Sequence, residues 1–297
     1  MTRIIAIAMT LLFAAASPAY AQDSTPGTTA APRAGVTAAE RYDLCLRYFK
    51  RGYYTKALET CNRVRNFHRD DPVSVKAELA IADIHYQRGD REQARLAYED
   101  FVRLHPRHES VDYAIYRIGL CWFKISPQWA GRDQTPTRQA MSVWTGFDAR
   151  FPDSEHREEV TKMLEKVRDR LAQKEVVIAK FYRRRGSWVA VRGRAAGVID
   201  RYEDTTHVPQ AMYLVARSWH AWGATAQADQ VRDTLATAYP SSRWLTATDR
   251  TLAKEPGAPP ISEVFLRPYR IPSAGGGGGG GAAAGGGAGG GMPGMGM

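Results

Sequence analysis

Cysteine is scarce in this sequence, with three among 297 residues, too few to staple a small fold together. Cys45, Cys61 and Cys121 show no CxxC spacing either, so a cysteine-held metal is excluded. No GxSxG or HExxH run occurs and no cysteine stands beside a plausible base, which leaves catalysis without a nucleophile and implies no cofactor. His105 and His108 lie beside Glu109, but Pro106 follows His105 directly, so no single helix presents the pair to a metal. Long apolar runs are missing after the N-terminus. None reaches about 18 residues, so the mature chain is expected to be soluble or peripheral. Residues 275–291 contain only Gly and Ala, without the following Lys or the strand-to-helix context that a phosphate loop needs.

Acidic residues are also outnumbered, 31 against 41 Lys and Arg, for a formal charge of +10. In a cytosolic protein that balance would suggest nucleic acid, but the N-terminus argues for export. Arg3, the apolar run Ile4 to Ala16 and the small-x-small site Ala19-Tyr20-Ala21 predict a secretory signal peptide over residues 1–21. No nucleic acid is then expected, and the basic surface should meet acidic protein partners, anionic lipid head groups or lipopolysaccharide. Residues 22–37, rich in Thr, Pro, Gly and Ala, predict a disordered linker, and residues 256–297 a disordered Pro/Gly-rich tail. The folded part is expected over residues 38–255.

Within that part, Leu79 to Pro106 shows apolar residues at helical spacing on both sides of a turn at Gly89-Asp90, which predicts a helical hairpin. Counting from Gly89, Ala94, Tyr98 and Phe101 fall at plus 5, plus 9 and plus 12, with Pro106 closing the unit at plus 17. That layout resembles a tetratricopeptide repeat. The first unit turns at Gly52, with Ala57, Cys61 and Val64 at the same offsets and Pro72 closing it three residues late. The fourth and fifth turn at Gly186 and Gly223. Gly52 to Gly89 and Gly186 to Gly223 are both intervals of 37 residues. In the third unit, Gly119 to Ala140 is 21 residues where the pattern gives 12, so an extended loop around SPQWAGRDQTPT is expected. Thr135-Pro136-Thr137 reads as a hydroxyl-capped helix start, with RQAMSVWTGFDARFP as one helix after it. Arg157 to Arg183 predicts a long charged helix. The fold class is all-α, a solenoid of about five such hairpins with a concave face.

Cys45 and Cys61 should face one another between the helices of the first hairpin. An oxidising compartment could link them, or they are two small buried residues.

First helices line the groove of such a solenoid. The spacing places Tyr42, Leu46 and Phe49, then Leu79, Asp83 and Tyr86, then Tyr113, Tyr116, Leu120 and Phe123 on that face. Of these, Tyr42, Leu46, Phe49, Leu79, Tyr86, Tyr113, Tyr116 and Phe123 are candidates for holding an extended peptide with apolar or aromatic side chains. The last two units place Gln173, Val176, Lys180, Arg183, Gln210, Tyr213, Arg217 and His220 there, a basic surface suited to an acidic partner.

Three segments, FVRLHPRHESVDYAIYRIGL (Phe101 to Leu120), RDQTPTRQA (Arg132 to Ala140) and FYRRRGSWVAVRGRAAGVIDRYEDT (Phe181 to Thr205), resemble the BamD (ComL, YfiO) family, the periplasmic repeat subunit of the outer-membrane β-barrel assembly machine. The resemblance covers most of Ala38 to Leu245 and accounts for the third-unit loop. It implies a non-catalytic scaffold at the inner face of the outer membrane. Its N-terminal repeats would bind targeting segments of unfolded outer-membrane proteins, and its C-terminal repeats the periplasmic domains of the barrel subunit, alongside the machine's other subunits. By motif, Arg194 in VAVRGR is the first candidate for docking, with Lys180, Arg183 and Arg217. Members usually carry a lipobox cysteine, whereas no cysteine precedes Cys45 here, so attachment through partners or the basic surface is expected. The competing expectation is a periplasmic envelope coordinator of the Tol-Pal or cell-wall synthesis type, for which the RDQTPT loop offers no reason.

Overall fold

A computed structural model describes residues 36–258 of the chain. The expected signal peptide, most of the linker and nearly all of the tail lie outside the described residues. Among the described residues there are twelve helices and no strand. Five hairpins follow one another: α1 (Ala38–Lys50) with α2 (Tyr54–Phe67), α3 (Pro72–Arg88) with α4 (Arg91–Leu104), and α5 (Val111–Ile125) with α6 (Thr135–Trp144). After the short α7 (Phe147–Arg150) come α8 (Arg157–Arg184) with α9 (Trp188–Arg201), and α10 (Val208–His220) with α11 (Thr225–Ala238); α12 (Arg243–Leu252) ends the array. The fold is an all-α solenoid. No helix among the described residues is long and apolar enough to cross a membrane.

Local chemistry sets the boundaries. Thr37 opens α1 with a capping box, its hydroxyl accepting the Glu40 N–H at 3.2 Å while the Glu40 carboxylate accepts the Thr37 N–H at 2.9 Å. Gly89 ends α3 at φ +99, a left-handed position that an L side chain rarely adopts, and so turns the chain into α4. Pro72 does not close the first unit. It is the first residue of α3, where a missing N–H costs nothing, and Asp71 caps the same end by accepting the Val73 N–H at 2.9 Å.

The residues at plus 5, Ala57, Ala94, Val191 and Ala228, are all fully buried, as is Ala140 in the third unit, which lets each second helix close on its first. Gly119 carries this furthest. A Cβ there would lie 2.1 Å from Trp144 Cε2, so only glycine admits the indole between α5 and α6. The core runs along the array as three clusters: the first unit with α3, the middle of the chain from α4 into the first half of α8, and the last two units. First helices of successive units touch (α1 with α3, α8 with α10), which puts them on the inner curve.

Other expectations change as well. Cys45 and Cys61 are joined in a disulfide with Cα atoms 5.5 Å apart, so they are not merely two small buried residues. The second helix of the third unit is broken: α6 stops at Trp144, Thr145 bonds back to the Met141 carbonyl at 2.7 Å, and Gly146 takes φ +74 before α7. The break lets both Trp144 and Phe147 reach the core. Thr135 does not cap α6. Its own N–H and hydroxyl instead donate to Asp133 Oδ1, at 3.2 and 2.9 Å. Finally, α12 is an element that the repeat pattern did not announce. It packs on α10 and α11 through Trp244, Leu245 and Leu252, covering apolar surface that a terminal unit would otherwise expose.

Candidate functional site

The inner faces of α1, α3 and α5 carry the front set of candidates. Tyr42, Leu46 and Phe49 are half-buried against the first core cluster; Leu79, Tyr86, Tyr113, Tyr116 and Phe123 are half-buried against the second. Each therefore packs on one side and leaves an edge to solvent. Leu120 is turned inward at 9% exposure and lines nothing.

At the centre of the front set lies a charged group. Asp83 accepts the Tyr113 hydroxyl at 2.6 Å and also the Tyr98 hydroxyl, and Arg117 stands 3.7 Å from the same carboxylate oxygen. The Arg117 Nε donates to the Tyr98 hydroxyl at 3.1 Å, and its guanidinium lies 3.8 Å from the centre of the Tyr86 ring. Arg91 sits 4.0 Å from that ring as well. Burial pushes the Asp83 carboxyl above its ordinary value, against the pull of the two hydroxyls and Arg117. Burial and the Asp83 charge together push the Tyr42, Tyr98 and Tyr113 hydroxyls up, so they stay donors. Four helices thus meet in an aromatic floor with an internally neutralised ion pair. Such a floor offers rings to apolar side chains and fixed polar groups to a peptide backbone.

Tyr116 and Phe123 stand further along. The Tyr116 ring stacks on His156 at 4.9 Å and an interplanar angle of 11°, and burial together with the nearby Glu159 carboxylate near the start of α8 pushes its hydroxyl up. Phe123 lies under the Arg170 guanidinium at 4.4 Å and faces a cavity of about 520 Å³ shared with Lys166, Asp169 and Asp204. Phe123 is therefore not gathered with Tyr42 into one pocket.

The rear candidates divide. Lys180 and Arg183 lie on α8 and Arg217 on α10, both inner helices. Arg194 lies on α9, a second helix, and pairs with Glu175 at 3.1 Å. Val176, Gln210 and His220, which the spacing places on the groove, are buried between helices instead.

The third-unit loop is held from within. Gln134 is fully buried, its amide donating to the Pro127 and Trp129 carbonyls at 3.2 and 3.1 Å and its carbonyl accepting the Thr137 hydroxyl. Trp129 is left 65% exposed on that loop. Sequence reasoning passed over Arg117, and over Asp83 as more than a lining position. The available signal was a lone acid inside the apolar run LAIADIHY and a lone base inside YAIYRIGL.

The model of the YfiO family, described as outer membrane lipoprotein, matches residues 35–235. Among curated proteins, the outer membrane protein assembly factor BamD of Neisseria meningitidis serogroup A is 28% identical over 202 residues, 65% of this chain and 76% of its own length. BamD of Caulobacter vibrioides is 27% identical over 216 residues, 73% of this chain and 68% of its own. A solved array of nearly identical TPR-like repeats from Podosopora anserina matches with 14% identity and a TM-score of 0.32, covering 71% of this chain and 96% of that one.

Proposed function

Because this chain belongs to the YfiO family of outer-membrane lipoproteins, we propose that it serves outer-membrane protein assembly as a non-catalytic scaffold at the periplasmic face of that membrane. Its front units hold an extended segment of an unfolded outer-membrane protein. Its rear units dock on the periplasmic domains of the machine's barrel subunit.

The observation that supports this reading best is the aromatic floor around Asp83 and Arg117. An unpaired charge there would reject apolar side chains. With Asp83 balanced by Arg117 and hydrogen-bonded by two hydroxyls, the surface accepts a ring against Tyr42, Tyr86 and Tyr113; the Tyr113 hydroxyl is taken by Asp83, which leaves the Tyr42 and Tyr86 tips for main-chain carbonyls. Nothing in the arrangement sets a nucleophile beside a base, and a scaffold needs none.

Binding of a fluorescent peptide that ends in an aromatic residue tests the front surface. Tyr42→Ala with Tyr116→Ala should weaken it more than tenfold, since two ring faces at about 1 to 2 kcal/mol each are lost. Unchanged affinity in that double variant would remove the front surface from the proposal.

A further inference from the structure

The rear of the array has an unusual charge balance. Lys180 and Arg183 on α8, Arg217 on α10 and Arg243 on α12 make no ion pair among the described residues. The helices that carry them explain why. No Asp or Glu occurs in α10. From Gln173 onward α8 has one acid, Glu175, which is taken by Arg194 at 3.1 Å. The single acid of α12, Asp249, turns the other way to Arg232 on α11 at 2.8 Å. Lys180 bears the consequence: burial, then Arg183 and Arg243, lower its affinity for a proton. One known contribution needs no ligand, because Arg183 and Arg217 lie in the last turns of their helices, where the dipole favours cations. That does not account for Arg243, in the first turn of α12, where the dipole is unfavourable.

Aromatic surface adjoins these charges. Tyr213 stacks on Trp244 at 5.3 Å and accepts a hydrogen bond from Arg217 at 2.7 Å, while Arg243 lies 4.9 Å from the Trp244 ring. Except for exposed Arg243, these side chains are half-buried, so each is held on one side by neighbouring residues and open on the other.

We infer that Lys180, Arg183, Arg217 and Arg243, with the Tyr213–Trp244 stack, form a binding cleft for an extended acidic segment of a partner protein that carries an apolar or aromatic side chain among its carboxylates. The cleft is completed by α12. This rests on reading the rear units as a docking surface, and it names the chemistry and the residues of that surface. A protein segment fits better than a lipid bilayer, since a planar membrane reaches exposed tips such as Arg184, Arg185 and Phe181 more readily than half-buried groups between helices.

The test uses the full chain and a short labelled peptide of alternating Asp and Glu around one central Phe, followed by anisotropy at two salt concentrations. Arg217→Glu with Arg243→Glu should weaken binding at least tenfold, and Arg243→Glu alone severalfold. Lys50→Glu with Arg51→Glu, the same charge change at exposed positions of the first hairpin, should leave it within twofold. Far-UV circular dichroism checks that each variant is folded, and the aromatic-ended peptide of the front surface should bind all of them as the wild type does. Equal losses in both charge-reversal pairs would reduce the effect to net charge and overturn the cleft. So would peptide binding too weak to detect, alongside sedimentation with phosphatidylglycerol vesicles that depends on Arg217 and Arg243. If the front-surface peptide fails to bind while the acidic one behaves as expected, the front reading falls and the cleft stands.

Discussion

Arg117→Met removes one side chain and leaves Asp83 half-buried without a cation. The pair is partly screened, with side-chain exposures of 13% for Arg117 and 23% for Asp83, so the cost should fall below the 3 to 5 kcal/mol or so of a fully buried broken pair. Adding the lost stacking on Tyr86, at about 1 kcal/mol, we expect a loss of about 2 to 3 kcal/mol. Asp83→Asn added to it should restore about 1 to 2 kcal/mol, because an amide keeps an acceptor for Tyr98 and Tyr113 and needs no counter-charge. The pH dependence follows from the sign of the shift. Burial raises the carboxyl in the folded state above its ordinary 3.8, so between those two values the folded chain holds more protons than the unfolded one. Asp83 therefore contributes stability below its ordinary value that is lost as pH rises through its folded value. Of the groups facing it, Tyr42, Tyr98, Tyr113 and Arg117, only Arg117 opposes this with charge. Its removal should widen the window and make the variant's deficit shrink as pH falls toward 4. Urea unfolding followed by circular dichroism across that range measures all of this. Additive effects of the two substitutions to within about 0.5 kcal/mol, or a deficit independent of pH, would refute the reasoning.

Cys45→Ser with Cys61→Ser, opening a link across 16 residues, should cost about 3 kcal/mol in the same assay, and reduction of the wild type should mimic it; an unshifted midpoint would contradict the bridge. Gly119→Ala forces a methyl into Trp144 and should destabilise by about 1 to 3 kcal/mol, with Trp144→Phe partly relieving it; a neutral Gly119→Ala would show the α5–α6 contact to be looser. Gln134→Ala removes three bonds that hold the third-unit loop, so amides of residues 128–133 should exchange at least tenfold faster while those of α5 stay protected. Unchanged exchange would mean that Gln134 does not hold the loop.

The repeat was legible because its signals are local. A glycine at four of the five turns, a buried residue five positions on and an apolar stripe are all read within one unit, and the loop in the third showed itself as an excess of length. What escaped depends on contacts between units. Gly146 sits in a stretch whose apolar spacing continues through it, so the spacing could not reveal the break. The last helix, α12, has no partner in the pattern, since its place is set by the uncovered sides of α10 and α11. Position counting gave Val176, Gln210 and His220 to the groove, but Val176 of α8 is taken into the last core cluster, and α10 is gripped on several sides so that only its Tyr213 and Arg217 keep an open edge. Likewise, Arg194 was grouped by motif with residues that lie on inner helices, while its own helix is a second one. Asp83 and Arg117 stand one unit apart, and only stacking of the units makes them a pair.

The central claim is that this chain works as a scaffold of outer-membrane protein assembly. Affinity purification of the tagged full chain from solubilised outer membranes tests it most directly, with recovered proteins identified by mass spectrometry. Barrel-assembly subunits and outer-membrane proteins in transit should be recovered with the wild type, and Arg194→Glu should deplete the barrel subunit. Recovery of cell-wall synthesis enzymes without any barrel-assembly subunit would contradict the account.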